Sequence, residues 1–181
     1  MVTNITLAIF NKFNASNQLG GRKIQLVTLD NANNRQRAAE NSQQLVSQGA
    51  LALFGYNSAT NSVDALPLVA QNNMLFFAPF SGSMSLRSHP NVYTIRASYK
   101  DETLKILESK RAVGANKAVV IHYDDEVGRS NYEAVASTFA DQGLERPRGV
   151  AVKRSGVAVD AAVVDAIAKD SPHYVLATTQ F

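Results

Sequence analysis

The sequence predicts an α/β protein in which parallel strands are flanked by helices. Short apolar stretches of strand composition alternate with longer stretches of helical periodicity along most of the 181 residues. Several of the predicted helices end at a glycine, which can adopt the left-handed conformation of a C-terminal cap. The apolar fraction of 45% is large enough to form a buried core, and the length allows one domain or two small ones.

In the first half of the chain, apolar spacing and capping residues define the elements. Residues 3–17 place their apolar side chains on one helical stripe, which Gly20 and Gly21 end. Residues 23–29 (KIQLVTL) alternate and contain β-branched side chains, which predicts a strand. The other elements predicted here are a helix within 31–49, a strand at 51–54, a helix from the loop at 55–62 to about 71, a strand at 75–78 and a weaker strand at 91–95.

The second half continues the alternation of helices and strands. Its predicted elements are a helix at 101–113, a strand at 117–122, a helix from 129 to about 142, a strand at 149–153, a helix at 160–169 and a strand at 174–178. The chain opens on a helix and stops after a strand, whereas a doubly wound unit normally begins with its central strand. We therefore expect the sequence to be a piece of a longer protein.

Composition excludes several classes of protein. The net charge is only +3 and the basic residues do not gather into a run, so no nucleic-acid partner is predicted. Cysteine is absent, which removes disulfides and thiolate chemistry. The first residues lack the cationic start and continuous apolar block of a signal peptide, and no apolar run is long enough to span a bilayer.

Two loops at predicted strand ends are the candidate binding elements. In one, a strand stopped by Pro79 is followed by five small or flexible residues at 81–85. In the other, residues 55–62 combine a glycine with hydroxyl and amide side chains before a helix. Ligands of open α/β sheets lie outside the carboxyl ends of the strands, and a helix N-terminus suits an anion. Two alternatives stay open: the loops are ordinary solvated connections, or Ser58 and Thr60 only cap their own helix.

Motifs for catalysis or cofactor binding are missing. The sequence contains no GxxxxGK[ST], no GxGxxG after a strand and no GxSxG, so no catalytic residue and no cofactor is predicted. His89, His122 and His173 lie far apart without helical pairing, and His122 is better interpreted as a hydrogen-bonded structural residue. The turn at 124–126 (DDE) lacks the alternating spacing of a calcium loop and is interpreted as a solvated turn with a helix cap, so no metal site is predicted.

Four stretches together resemble a known family. They are NxxGGRKIQLVTLD ending at residue 30, LFGYNSATNSVDALPLVAQNNMLFFAPFSGSMSLR at 53–87, VYTIRASYKDE at 92–102 and AVVIHYDDEVGRS at 118–130. In this order they resemble the type I periplasmic binding proteins, in the branch that serves branched-chain amino acid ABC transporters and their relatives. The resemblance covers nearly the whole chain, and the combination of APFSGSMSLR with FGYNSATN is its most specific part.

The resemblance implies two flavodoxin-like lobes, both incomplete in this chain, with a ligand in the cleft between them. Residues 1–97 would form the first lobe without its first strand, and 98–181 the beginning of the second. It also implies which residues bind an amino acid. Its carboxylate would be bound by Ser58, Ala59, Thr60, Gly82 and Ser83. Its ammonium group would be bound by the backbone carbonyl of Phe80, with Ser81 beside it.

The sequence also departs from the family pattern. A residue that is commonly aromatic, and that contacts the ligand from the second lobe, is Val127 here. The acidic residue that completes ammonium recognition in the family would lie beyond Phe181. Arg96 and Glu102 flank the expected crossover between lobes, where a structural ion pair is at least as good an interpretation as ligand contact.

The leading hypothesis is the solute-binding component of an ABC uptake transporter for an amino acid or similar small polar ligand. The resemblance then implies a periplasmic or extracellular location and an ABC permease as partner of the full-length parent. The alternative is a ligand-sensing domain of a receptor or regulator on the same fold. An enzyme on a flavodoxin-like fold is disfavoured because no nucleophile has a paired base. An uncovered sheet edge could also lead the chain to self-associate.

Overall fold

The computed structural model describes residues 2–32, 34–153 and 160–179. Within these ranges helices and parallel strands alternate, which confirms the predicted α/β class. The first elements are α1 (Val2–Ala15), α2 (Arg35–Ser47), β1 (Ala52–Phe54), α3 (Ala59–Asp64), α4 (Leu66–Gln71), β2 (Leu75–Phe77), α5 (Met84–Arg87) and β3 (Val92–Tyr93). The remaining elements are α6 (Tyr99–Arg111), β4 (Ala118–Tyr123), α7 (Glu126–Asp141), β5 (Arg148–Val152), α8 (Ala161–Ala168) and β6 (Tyr174–Ala177).

The described strands form two separate three-stranded sheets. The first sheet has the order β1-β2-β3 and the second has the order β5-β4-β6, and every pairing is parallel. Phe76 stands at the centre of the first sheet, opposite Leu53 on one side and Val92 on the other. Val120 has the same position in the second sheet, between Gly149 and Leu176. Since all strands of a parallel sheet end at one edge, each sheet presents one row of loops after its strands.

The core of the first sheet lies on the side covered by α4 and α5. Leu53 and Phe76 are fully buried there, together with Val69 of α4 and Leu86 of α5. Alternation along the strands directs Phe54 and Phe77 to the opposite side of the sheet. There Phe10 of α1 packs on Phe54 with their ring centroids 5.9 Å apart, so α1 covers part of that side.

The second sheet has its own core, built against α6 and α7. Val120 of the central strand packs with Leu107 of α6 and with Val135 and Phe139 of α7, and all four are buried. Tyr132 of α7 lies at the edge of this core. Each sheet therefore has its own apolar contacts, as expected of two packed α/β layers.

The prediction of a strand at residues 23–29 was wrong. Residues 22–31 have no regular secondary structure and pair with none of the described strands. The Asn14 side chain takes the place of a strand partner at one point, because it donates to the carbonyl of Ile24 and accepts from the amide of Ile24, both at 2.8 Å. Apolar alternation can favour extended backbone, but a strand forms only where a neighbour offers its hydrogen bonds.

Two further elements differ from the prediction. The helix predicted to end near residue 71 is split into α3 and α4 at Ala65. Pro67 follows closely, and a proline lacks the amide hydrogen that a continuous helix would need at that position. The stretch at 81–85 also contains the start of α5, whose N-cap is Ser83.

Candidate functional site

A cavity of about 720 Å³ lies at the carboxyl ends of strands from both sheets. From the first sheet it is lined by Gly55, directly after β1, and by Phe80, three residues after β2. From the second sheet it is lined by Tyr123 at the end of β4 and by Thr178 directly after β6. The two rows of loops thus meet at one hollow, which is where parallel α/β sheets bind ligands.

The polar lining of this cavity is largely uncharged. Hydroxyl and amide side chains predominate, and Asp30 and Arg96 are the charged residues of the lining within the described ranges. Asp30 accepts a hydrogen bond from the amide of Ala32 at 2.9 Å. Burial raises the pKa of Tyr56, whose hydroxyl lies 2.7 Å from Ser42 Oγ, so it stays neutral. Such a lining can orient a small polar molecule by hydrogen bonds.

The loop after β1 brings a group of short polar side chains to the cavity. Gly55 has φ +69°, the left-handed conformation that favours glycine, and turns the chain out of the sheet. Ser58 and Thr60 are buried and line the cavity with Ala59 between them. Ser58 is also the N-cap of α3, and its Oγ accepts from the amide of Asn61 at 3.4 Å. Ser58 therefore both caps α3 and lines the cavity.

The loop after β2 joins the loop after β1 at the cavity. The amide of Phe80 donates to the carbonyl of Tyr56 at 2.7 Å, which ties the two loops together. The Phe80 ring is half exposed, and the guanidinium carbon of Arg96 lies 5.5 Å from its centroid. Arg96 is equally close to the ring of Tyr99, so both aromatic rings of this part of the lining contact one cation.

Arg96 and Glu102 form the ion pair considered for this position. Two guanidinium nitrogens of Arg96 donate to the two carboxylate oxygens of Glu102 at 2.6 and 2.9 Å. This hydrogen bonding raises the pKa of Arg96, which stays charged. The pair is structural, and Arg96 also lines the cavity, so the two interpretations of this residue do not compete.

The other predicted site residues are not among the residues that line the cavity. Ser81, Gly82 and Ser83 are buried, and the amide of Ser83 donates to Ser81 Oγ at 3.2 Å. A Cβ at Gly82 would lie 2.8 Å from the Tyr99 ring and 2.9 Å from the Tyr99 amide nitrogen, so this glycine allows α6 to start close to the loop. Val127 is buried in the first turn of α7.

Helices of the two sheets contact one another beside the cavity. Both α3 and α5, from the side of the first sheet, pack against α7 of the second. Ser85 Oγ and Ser130 Oγ lie 3.5 Å apart across this contact. Ser85 and Ser130 belong to neither of the two apolar cores.

Several lining residues were not singled out in the sequence. They are Asp30, Asn31, Tyr99, Tyr123, Asn131 and Thr178. Tyr123 and Thr178 stand at or directly after the ends of predicted strands, so the rule that selected the loops after β1 and β2 could have found them. Tyr99 and Asn131 lie on helices, and no local pattern identifies them.

His122 and the acidic turn have structural contacts. His122 is buried with its ring stacked on Tyr132, the centroids 5.0 Å apart, and its Nδ1 lies 2.9 Å from the carbonyl oxygen of Tyr123. Asp125 is the N-cap of α7 and accepts from the amide of Gly128 at 2.7 Å, which confirms the predicted cap.

In the part of the chain that the structure describes, no three acidic or histidine side chains cluster as metal ligands would. No described helix has the length and apolarity needed to cross a bilayer.

Comparison with known proteins supports the resemblance seen in the sequence. A family model described as periplasmic binding protein matches residues 4–180. No curated protein matches the chain significantly. Among solved structures, a possible leucine/isoleucine/valine-binding protein from Rhodopirellula baltica SH 1 is 24% identical with a TM-score of 0.84, covering 97% of this chain and 49% of its own.

Two other solved structures show the same fold. An ABC transporter solute binding protein from R. palustris in complex with benzoate is 19% identical with a TM-score of 0.74, over 92% of this chain and 47% of its own. A leucine binding protein from Thermotoga maritima MSB8 is 15% identical with a TM-score of 0.70, over 87% of this chain and 45% of its own. The chain thus spans about half the length of these structures.

Proposed function

The chain belongs to the periplasmic binding protein family, and from this premise we propose that it captures an amino acid or similar small polar ligand for an ABC uptake transporter. In this proposal the protein is located in the periplasm, and the partner of the full-length protein is an ABC permease. The proposed role is binding without covalent chemistry. The similar solved structures named for leucine and benzoate binding support a small organic acid as the class of ligand.

The observation that carries the proposal is the polar cavity between the strand ends of the two sheets. Its volume of about 720 Å³ exceeds that of an amino acid and leaves room for water. Its lining supplies hydrogen-bond donors and acceptors from both sheets. A ligand bound there would contact both halves of the chain at once and would stabilise the arrangement in which they approach each other.

In this proposal the carboxylate of the ligand lies against the loop after β1. Ser58 and Thr60 can donate hydroxyl hydrogens from this wall of the cavity, and the amide of Ala59 lies between them in the chain. Hydrogen bonds to a charged carboxylate contribute more than those between neutral groups. Phe80 would form the adjoining wall, and the buried residues Ser81, Gly82 and Ser83 would hold the loop after β2 in place. Val127 would position the start of α7.

We also propose that residues 1–97 and 98–181 act as the two lobes that close on the ligand. The two separate sheets and their separate cores support this division, and α3 and α5 contact α7 between them. Contacts between units with separate cores generally open more easily than a core does. Closure would then depend on the ligand.

The test is the double substitution Ser58→Ala with Thr60→Val, measured by titration calorimetry against a panel of L-amino acids. We expect the affinity for the preferred amino acid to fall at least tenfold, because each lost hydrogen bond to a carboxylate contributes about 1.5–3 kcal/mol. A second variant, Ser58→Asp, keeps the N-cap of α3 but adds a negative charge beside the carboxylate. It should abolish binding while the melting temperature stays close to that of the wild type.

Ser47→Ala is the matched control, because Ser47 Oγ donates to the carbonyl of Gln44 on α2 and does not line the cavity. Its affinity should equal that of the wild type. Full affinity in Ser58→Asp would show that no anionic group lies at this wall. Absence of binding by the wild type for every member of the panel would contradict the proposed ligand class.

A further inference from the structure

Asn131 is a buried amide on α7 that lines the cavity. Its side chain is 3% exposed, and it comes from the half of the chain that carries the second sheet. It stands one helical turn after Val127, so the two residues share one side of α7. The same helix packs against α3, whose residues Thr60 and Asn61 also line the cavity.

The amide oxygen of Asn131 has no hydrogen-bond partner among the described residues. Buried polar atoms without a partner are rare in folded proteins, because the loss of hydration is not compensated. Ser62 Oγ and Ser83 Oγ are unpartnered as well, on α3 and at the start of α5. These two hydroxyls do not line the cavity. Among the described residues, Asn131 is therefore the one that combines an unpaired buried oxygen with a position on the cavity wall.

We propose that Asn131 is a specificity-determining residue that accepts a hydrogen bond from an N–H group of the bound ligand. The assignment rests on the proposed function and names the residue that distinguishes an amino acid from the same carboxylate without an ammonium group. It places the acceptor for that group on α7, whereas Ser58 and Thr60 offer hydroxyls from the first half of the chain.

The chemistry of the side chain supports this direction. The unpaired atom is an oxygen and therefore needs a donor, which an ammonium group supplies and a carboxylate does not. No hydrogen bond holds the Asn131 oxygen in its buried position, and the terminal torsion of asparagine is broad. The amide can therefore turn its oxygen toward the cavity without losing a hydrogen bond of that oxygen when a donor is present.

The experiment compares two pairs of probes that differ only in the ammonium group. They are L-leucine with 4-methylpentanoate and L-phenylalanine with 3-phenylpropanoate, titrated into the wild type, Asn131→Leu and Asn131→Ala. We expect the wild type to bind the amino acid of at least one pair more tightly than its partner. In both variants the ratio of the two affinities should fall about tenfold. The ratio within a pair cancels changes that affect both probes equally.

Stability gives an independent readout. Replacing an unpaired buried amide by an apolar group of similar shape removes the uncompensated oxygen, so Asn131→Leu should raise the melting temperature of the unliganded protein by a few degrees. Asn131→Ala leaves a void and should lower it, with the same loss of ligand preference. Tyr174→Phe is the control, since the Tyr174 hydroxyl is also buried and unpartnered but does not line the cavity.

The outcomes separate the two proposals. A preference for the amino acid that both Asn131 variants keep would overturn the role of Asn131 and leave the proposed function intact. Equal affinity of the wild type for both members of each pair would do the same. An amino acid that the panel shows to bind is compared with its own deaminated carboxylate in the same way. Binding by the wild type of no L-amino acid of the panel and of none of the four probes would contradict the proposed function, and the role of Asn131 with it.

Discussion

At the ends of β1 and β2 the chain leaves the sheet through single residues with positive φ. They are Gly55 with φ +69° and Ala78 with φ +57°. For an L-residue with a side chain this conformation costs about 1–2 kcal/mol, so Ala78 is a strained position next to the cavity. Its amide donates to the carbonyl of Tyr93 at 2.8 Å, which holds the strained turn in place. The backbone of these two residues therefore directs the loops that carry Ser58 and Phe80 to the cavity.

Gly55→Ala should lower the free energy of unfolding by about 1–2 kcal/mol. A Cβ at this position would meet no atom within 4 Å, so the cost comes from the backbone conformation alone. Urea denaturation measures the change. Gly49→Ala is a matched control, because Gly49 has φ +82°, equally open surroundings and no place in the cavity lining.

The two glycine variants should lose similar stability, and only Gly55→Ala should also weaken ligand binding. Equal ligand affinity in both variants would show that the turn after β1 does not shape the site. Unchanged stability in Gly55→Ala would show that the turn can adopt another conformation without cost.

Among the described helices, α6 starts with a capping box. Ser98 Oγ accepts from the amide of Asp101 at 3.0 Å, and the Asp101 carboxylate accepts from the amide of Ser98 at 3.1 Å. These reciprocal bonds form a capping box, which satisfies amides that the first turn leaves unpaired. The cap fixes where α6 begins, three residues after Arg96 and beside the cavity. A local sequence signal here positions part of the site.

Ser98→Ala should lower the free energy of unfolding at pH 7 by about 1 kcal/mol, because the first turn of α6 loses its side-chain acceptor. The hydrogen bonds from the Ser98 hydroxyl and amide lower the pKa of Asp101 below its ordinary value of 3.8. A lowered native pKa contributes stability above the ordinary value, and this contribution is lost as the pH falls through the native pKa. The difference between wild type and variant should therefore shrink below about pH 4.

Asp101→Asn tests the origin of this pH dependence. The amide oxygen can still accept from the Ser98 amide, but it does not titrate. Thermal denaturation between pH 3 and pH 7 should show a flatter profile for Asp101→Asn than for the wild type. An identical profile would assign the acid-sensitive stability to other carboxylates.

At the scale of the whole molecule, two separate apolar cores lie on either side of a contact between helices. One core surrounds Phe76 and the other surrounds Val120, and the contact between α7 and the helices α3 and α5 includes the serine pair at 85 and 130. Burial of apolar surface is the main stabilising contribution within each core. The two cores share none of their residues, so we expect each half to unfold with some independence.

Phe139→Ala should destabilise the second core by about 3–5 kcal/mol, since its ring is fully buried against Val120 and Leu107. Amide hydrogen exchange should then lose protection in β4 and keep it in β2. Phe76→Ala is the matched variant in the first sheet and should give the opposite pattern. Equal loss in both sheets for either variant would show that the chain unfolds as one unit.

Local patterns predicted most of the elements. Asn34 caps α2 and Asp125 caps α7, and both helices end near the predicted glycines at 49 and 143. These features depend on residues within a few positions of one another, so they can be recognised without knowledge of the fold. The same information misled at residues 23–29, where alternation is present but no described strand pairs with the segment.

By itself, the sequence determined the α/β class, the family and the two loops whose residues Ser58 and Phe80 line the cavity. The tertiary structure decided which other residues join them, among them Asn131 from α7 and Thr178 from the end of β6. It also showed that Ser81 and Ser83 are buried outside the described lining. The physical reason is distance along the chain: periodicity and caps act over a few residues, whereas a cavity wall is formed by packing between segments far apart in sequence.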